Sequence, residues 1–292
     1  MRAERRWSDE YRRIGRQLRG QRTQDGAGVI LTRLIGQAEL PQLDPFLLLD
    51  YFESGDPRDY IAGFPDHPHR GFETLTYLLA GRMRHRDSRG HEGVIEPGGV
   101  QWMSAGRGIV HSEMPEQVRG RLAGFQLWVN LPAKHKMDSP AYQEFAPGEI
   151  PRERRGPGVL LKVVAGVSSR GTLGPVRQPL TAPLYLHLSL AAGETLEEPL
   201  EPTHNAFVYL IQGTLWWPGP AADEERLEAG RLAVLGPGRR IRVRAGRDSQ
   251  FLLLTGRPLH EPVARAGPFV MNSRAQLQEA YRDYLAGRLG AD

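Results

Sequence analysis

Apolar residues along this chain come in short runs, and glycine or proline interrupts almost every run within a few residues. Segments 28–35, 74–79, 125–130, 159–165, 184–190, 206–211, 240–243 and 250–255 are rich in leucine, β-branched and aromatic residues. Each has the length of a strand and turn residues nearby, which predicts an all-β sandwich or barrel. Two segments are patterned as helices instead. One covers roughly 9–18 and the other 273–289, where Ser273 suits an N-cap and Gly290 a stop.

A weak internal repeat pairs Tyr77-Leu78-Leu79-Ala80-Gly81 with Tyr209-Leu210-Ile211-Gln212-Gly213. Two related barrels in tandem would produce it. Between the copies, residues 146–158 hold three prolines and three glycines and read as a linker. The expected division is therefore an arginine-rich extension over 1–24, a first barrel over 25–145, a linker over 146–158, and a second barrel over 159–292 that ends in the helix.

Length and composition narrow the function classes. A chain of 292 residues is long enough for two ordinary domains. The formal charge of +4 is too small a bias to argue for direct nucleic-acid binding. With no cysteine, disulfides, thiolate metal ligands and iron–sulfur clusters are excluded. No apolar run reaches the length of a membrane span, and residues 1–22 carry eight arginines without the apolar core of a signal peptide. A cytoplasmic protein with no membrane partner is expected. Arg240, Arg242 and Arg244 alternate and read as a solvated strand face, with docking of an anion or acidic protein as the alternative.

The chemistry concentrates in His67-Pro68-His69 and His111-Ser112-Glu113. Residues two apart on a strand share a face, so His67 projects with His69 and His111 with Glu113. If the two strands faced each other across a barrel, they would present three imidazoles and one carboxylate. That donor set suits Fe(II), Mn, Ni, Cu or Zn, and burying it without a metal would be costly. His85 and His91 bracket Arg86-Asp87-Ser88-Arg89-Gly90 and read as a polar hairpin tip, with a place at the barrel mouth for one of them as the alternative. His135, His187, His204 and His260 have no partner at ligand spacing. Gln101, Trp102 and Met103 lie close enough in sequence to shape the mouth of the site.

Several blocks together resemble the pirin family, bicupins of the cupin superfamily. They are Leu43-Asp44-Pro45-Phe46, Gly63-Phe64-Pro65-Asp66-His67-Pro68-His69-Arg70-Gly71-Phe72-Glu73-Thr74, Gly106-Arg107-Gly108-Ile109-Val110-His111-Ser112-Glu113, Phe125-Gln126-Leu127-Trp128 and Gly267-Pro268-Phe269-Val270-Met271-Asn272. The resemblance implies two tandem antiparallel β-barrels with a short C-terminal helix. It also implies one divalent metal per chain, usually iron, so Fe(II) foremost, on residues corresponding to His67, His69, His111 and Glu113. The general cupin pattern would take its carboxylate from Glu73 instead. Glu73 and Glu113 both stand at odd positions in step with their histidines, so parity leaves the choice open. The pirin pattern favours Glu113, which leaves Glu73 to hold an imidazole N–H or a bound water.

What the resemblance implies for function is a metal-dependent dioxygenase that cleaves quercetin or a related phenol with dioxygen. A monomer is expected, and Glu113 or Glu73 would be placed to take the substrate proton. The alternative is a metal-binding regulatory protein that acts by contacts with a transcription factor or metabolic enzyme. The second barrel is expected to be structural. Aligning Gly213 on Gly81 puts Pro199, Glu201 and Asn205 where the first barrel has His67, His69 and Glu73.

Overall fold

Alternation in the sequence becomes antiparallel sheet in both halves of a computed structural model that describes residues 10–217 and 224–291. The chain divides into two compact units, and neither is a continuous piece of sequence.

The first unit contains residues 21–149 and 259–292. Its strands are β1 (Gln21–Asp25), β2 (Val29–Ile35), β3 (Phe46–Ser54), β4 (Phe64–His69), β5 (Phe72–Ala80), β6 (Met83–Asp87), β7 (Glu92–Ile95), β8 (Val100–Ser104), β9 (Ile109–Pro115), β10 (Leu122–Asn130) and β11 (Ala141–Phe145). One sheet has the order β11-β8-β5-β10-β3-β2-β1, and a smaller one the order β4-β9-β6-β7. Val29, Leu31, Phe52, Leu78, Met83 and Leu122 pack as a buried cluster within the unit. The C-terminal segment is tied to the same unit. Val270 N donates to Arg70 O at 3.0 Å, and Arg70 reaches Asp283 Oδ2 at 2.9 Å.

The second unit contains residues 150–258 and the described residues before 21. Ile14–Arg19, Arg231–Leu235, Asn205–Trp217, Arg240–Gly256, Leu184–Leu190, Val159–Ala165 and Arg152–Arg154 lie side by side in that order. Leucine and valine dominate its core, with Phe251 and Trp217. Neither of the two groups of three ligating side chains among the described residues falls in this unit.

The expected partition thus needs correction at both ends. Ile14–Arg19 is a strand paired with Arg231–Leu235, not part of a helix over 9–18 or of a free extension. Arginine and glutamine favour helices weakly, and long-range pairing overrides them. Asp9, the first residue of the expected helix, lies outside the described residues. Residues 259–292 join the first unit, not the second barrel. The linker over 146–158 contains a 3-10 turn, Pro147–Glu149, and the strand Arg152–Arg154. Segments 240–243 and 250–255 are two parts of one long strand, Arg240–Gly256.

The C-terminal helix runs over Arg274–Leu285, with the Ser273 side chain accepting from Gln276 N. It stops short of Gly290 because Gly287, at φ +66°, supplies the left-handed residue that ends a helix. No helix among the described residues is long and apolar enough to cross a membrane.

Candidate metal centre

The two histidine-bearing segments do not face each other across the barrel. β4 and β9 are neighbours in the smaller sheet, with His111 opposite His67 and Ile109 opposite His69. This adjacency brings the imidazoles together. One ligating nitrogen from each of His67, His69 and His111 lies within 4.8 Å of the others. The ring centroids are 4.4 Å apart for His67 and His111, 4.7 Å for His67 and His69, and 5.0 Å for His69 and His111.

Hydrogen bonding orients the rings for ligation. His67 Nδ1 is 2.8 Å from Pro65 O, and His69 Nδ1 is 3.5 Å from Pro268 O. The carbonyl can only accept, so Nδ1 of His67 carries a hydrogen, and in the neutral ring Nε2 then keeps its lone pair. Nε2 of His67 and Nε2 of His69 then face each other at 3.0 Å. A divalent ion would be held between them. Both ring nitrogens of His111 are buried without a hydrogen-bond partner. A buried imidazole left unsatisfied is a cost that a metal removes. The donor set therefore fits a borderline divalent ion.

Burial drives the His69 and His111 imidazoles well below the usual histidine range, and charge on the neighbouring histidines pushes the same way. Both are neutral at physiological pH, as ligation requires. In the unfolded chain the same side chains take a proton near pH ~6.5. Below that pH the unfolded chain binds protons that the folded one refuses. The stability of metal-free protein is thus expected to fall as pH drops from about 6.5. Urea midpoints of chelator-treated protein between about pH 8 and pH 5.5 test this, and a midpoint unchanged below pH 6.5 would contradict the assigned shifts.

Glu113 is on the same strand face as His111 and is buried, but its carboxylate does not join the imidazole cluster. Its oxygens turn to the larger sheet. Oε1 is 2.8 Å from Thr76 Oγ1, and Oε2 is 3.1 Å from Gln126 Nε2. Thr76 Oγ1 is in turn 2.6 Å from Gln126 Oε1. These two belong to a polar row that crosses the larger sheet in register: Glu144, Gln101, Thr76, Gln126, Asp50 and Arg33. Arg33 closes the row with two bonds to Asp50, at 2.9 and 2.7 Å.

Glu73 is not at the centre. It lies on β5, three positions from Thr76, in a ladder of regular register, so it points to the opposite face of the sheet. The parity that kept it in step with His69 fails because β4 ends at His69 and β5 begins at Phe72. Between them Gly71, at φ +87°, turns the chain and resets the phase. The roles expected of Glu73, as ligand, ligand partner or base, have no support in this geometry.

Next to the centre is a cleft of about 550 Å³. His67, His69 and Glu113 line it, and Leu31, Leu48, Phe52, Phe64, Trp128 and Pro268 give it apolar walls. Arg265 stands over the Trp128 ring at 4.7 Å. Sequence reasoning missed Thr76, Gln126, Trp128 and Arg265. The alternation of Gln126 and Trp128 within an apolar strand was the available signal. Gln101, Trp102 and Met103 do not line the cleft.

Residues 28–129 match the family model described as Pirin, and residues 185–290 the one described as Pirin C-terminal cupin domain. A Pirin-like protein of Caulobacter vibrioides is 51% identical over 271 residues, covering 93% of this chain and 96% of its own. Pirin of Homo sapiens is 42% identical over 269 residues, covering 91% of this chain and 90% of its own. Among solved structures, quercetin 2,3-dioxygenase of Acinetobacter baumannii superposes with a TM-score of 0.87 at 32% identity, over 96% of this chain and 99% of that one.

Proposed function

Because the chain belongs to the pirin family, we propose that it is a metal-dependent dioxygenase that oxidatively cleaves a flavonol such as quercetin or a related phenol. The observation that carries this reading is the meeting of three imidazoles beside an apolar cleft that Glu113 also lines. The likeness to the quercetin dioxygenase of Acinetobacter baumannii supports the substrate class.

His67, His69 and His111 would hold the ion, Fe(II) foremost, on neutral imidazoles. A divalent ion there would act as a Lewis acid, lowering the pKa of a substrate hydroxyl and leaving positions open for the reactants. The chain's own residues supply the rest. Phe52, Phe64 and Trp128 offer flat apolar surface for aromatic rings and keep water from the reacting end of the cleft. Glu113 faces the same cleft and is the base that takes the phenolic proton. Thr76 and Gln126 hold its carboxylate in place, two bonds that fix where the proton goes.

Iron-loaded protein given quercetin in aerobic buffer is expected to consume dioxygen and release carbon monoxide. His67→Ala protein is expected to do neither. Oxygen uptake no greater than that of the His67→Ala control, across a panel of phenols, would reject the dioxygenase in favour of a binding protein.

A further inference from the structure

The hairpin between β6 and β7 is not only a polar tip. His85 is buried at its base, and His91 is half-exposed across from it. Their rings lie 5.2 Å apart and tilt by 32°. Both aim Nε2 at one oxygen of Glu144, a residue more than fifty positions away on β11. His85 Nε2 is 2.5 Å from Glu144 Oε1, and His91 Nε2 is 3.2 Å from it. We propose that His85, His91 and Glu144 form a second site for a borderline divalent cation of the zinc class, separate from the three-histidine centre.

Three observations carry this. First, the donor set is two imidazoles and a carboxylate, with one ligating atom of each within 4.8 Å of the others. That combination binds Zn(II) and its neighbours with room for water in the remaining positions. Second, neither Nε2 makes a directed hydrogen bond although both atoms are buried.

Third, the side chains around the group hold it open and aligned. Gln101 Nε2 donates to Glu144 Oε1. The Tyr142 ring covers His91 at 4.4 Å. Opposite His85 in the ladder stands Gly93, whose φ lies outside the left-handed region. A Cβ there would fall 2.5 Å from His85 Nε2 and 3.1 Å from Glu144 Oε2. The glycine thus serves the space between the ligands rather than the backbone.

The side chains of His91 and Glu144 are 39% and 33% exposed, so an ion reaches the site from solvent and exchanges with it. It would lie close to the proposed base, since His85 pairs with Glu113 across β6 and β9. This raises the expected stoichiometry from one ion per chain to two, both in the first unit, and leaves the second barrel without any.

The test is zinc(II) titration by calorimetry of tag-free, chelator-treated protein, with bound metal counted after dialysis. Wild-type protein is expected to bind two equivalents. His91→Ala and Gly93→Ala should each bind one, with affinity for the other lowered at least ~100-fold, beyond the loss typical of an outer partner. His69→Ala should lose the other equivalent and retain the one at His85, His91 and Glu144, so the two centres are judged separately. Because His91 is half-exposed, its variant decides the matter even if Gly93→Ala folds poorly. Saturation of wild-type protein at a single equivalent that His91→Ala leaves intact would overturn the proposal, as would a second equivalent that survives in both His91→Ala and Gly93→Ala.

Discussion

Replacing His111 by alanine is expected to empty the three-histidine centre, with metal affinity falling well over 100-fold. His111 has no other bond to lose, because both its ring nitrogens lack hydrogen-bond partners. Its contribution to the folded protein as a polar group is therefore realised through the ion alone. Outer partners of a ligand typically cost only about 10–100-fold when removed, so the size of the loss separates ligands from neighbours. Glu73→Gln is the matched control and is expected to change affinity less than about twofold, since its side chain points to the other face of the sheet. Glu113→Gln should lower turnover by ~100-fold or more, within the range for a lost general base, while retaining most of the metal. Calorimetry on chelator-treated protein measures the first two, and oxygen uptake the third. If Glu73→Gln emptied the centre, the strand phase deduced from the ladder would be wrong.

Lys136→Met is expected to destabilise the first unit by about 3 kcal/mol or more, the sum of orphaned acceptors at roughly 1–3 kcal/mol each. Lys136 is 1% exposed, and its Nζ donates to Gly71 O at 2.6 Å, Asn130 Oδ1 at 2.6 Å and Val270 O at 3.0 Å. Methionine keeps the length and apolar volume but satisfies none of the three. The bonds join the corner after His69 to the C-terminal segment, so the loss should also loosen the histidine strand. A urea midpoint equal to that of the wild type would show that these bonds contribute nothing net.

The three histidines were legible because each stands on a short strand, where a spacing of two means a shared face. Three imidazoles at that spacing suit few purposes other than holding a metal, while the carboxylate of Glu113 turns to Thr76 and Gln126 instead. The arrangement across strands was not legible. Spacing cannot tell whether two strands are neighbours or face each other, and here they are neighbours. Nor does parity survive Gly71, which is why Glu73 looked equivalent to Glu113. The partition failed for a related reason. Ile14–Arg19 and residues 259–292 are placed by partners far away in sequence, and neither carries a local mark of its partner. Glu144 escaped notice in the same way, being a single glutamate in an edge strand whose partners lie on a distant hairpin.

The contacts among Glu113, Thr76 and Gln126 close a ring of three, and hydrogens can be counted around it. Three contacts need three hydrogens. The threonine hydroxyl supplies one, and the glutamine amide supplies one along whichever contact its nitrogen faces. Exchanging the amide oxygen and nitrogen moves the deficit to another contact without removing it. With an ionised Glu113, two oxygens in the ring must therefore meet with no hydrogen between them. One proton on the carboxylate completes the circuit, and no side chain has to turn. On the proposed function, a substrate that surrenders its phenolic proton to Glu113 would supply the hydrogen that this ring of contacts lacks.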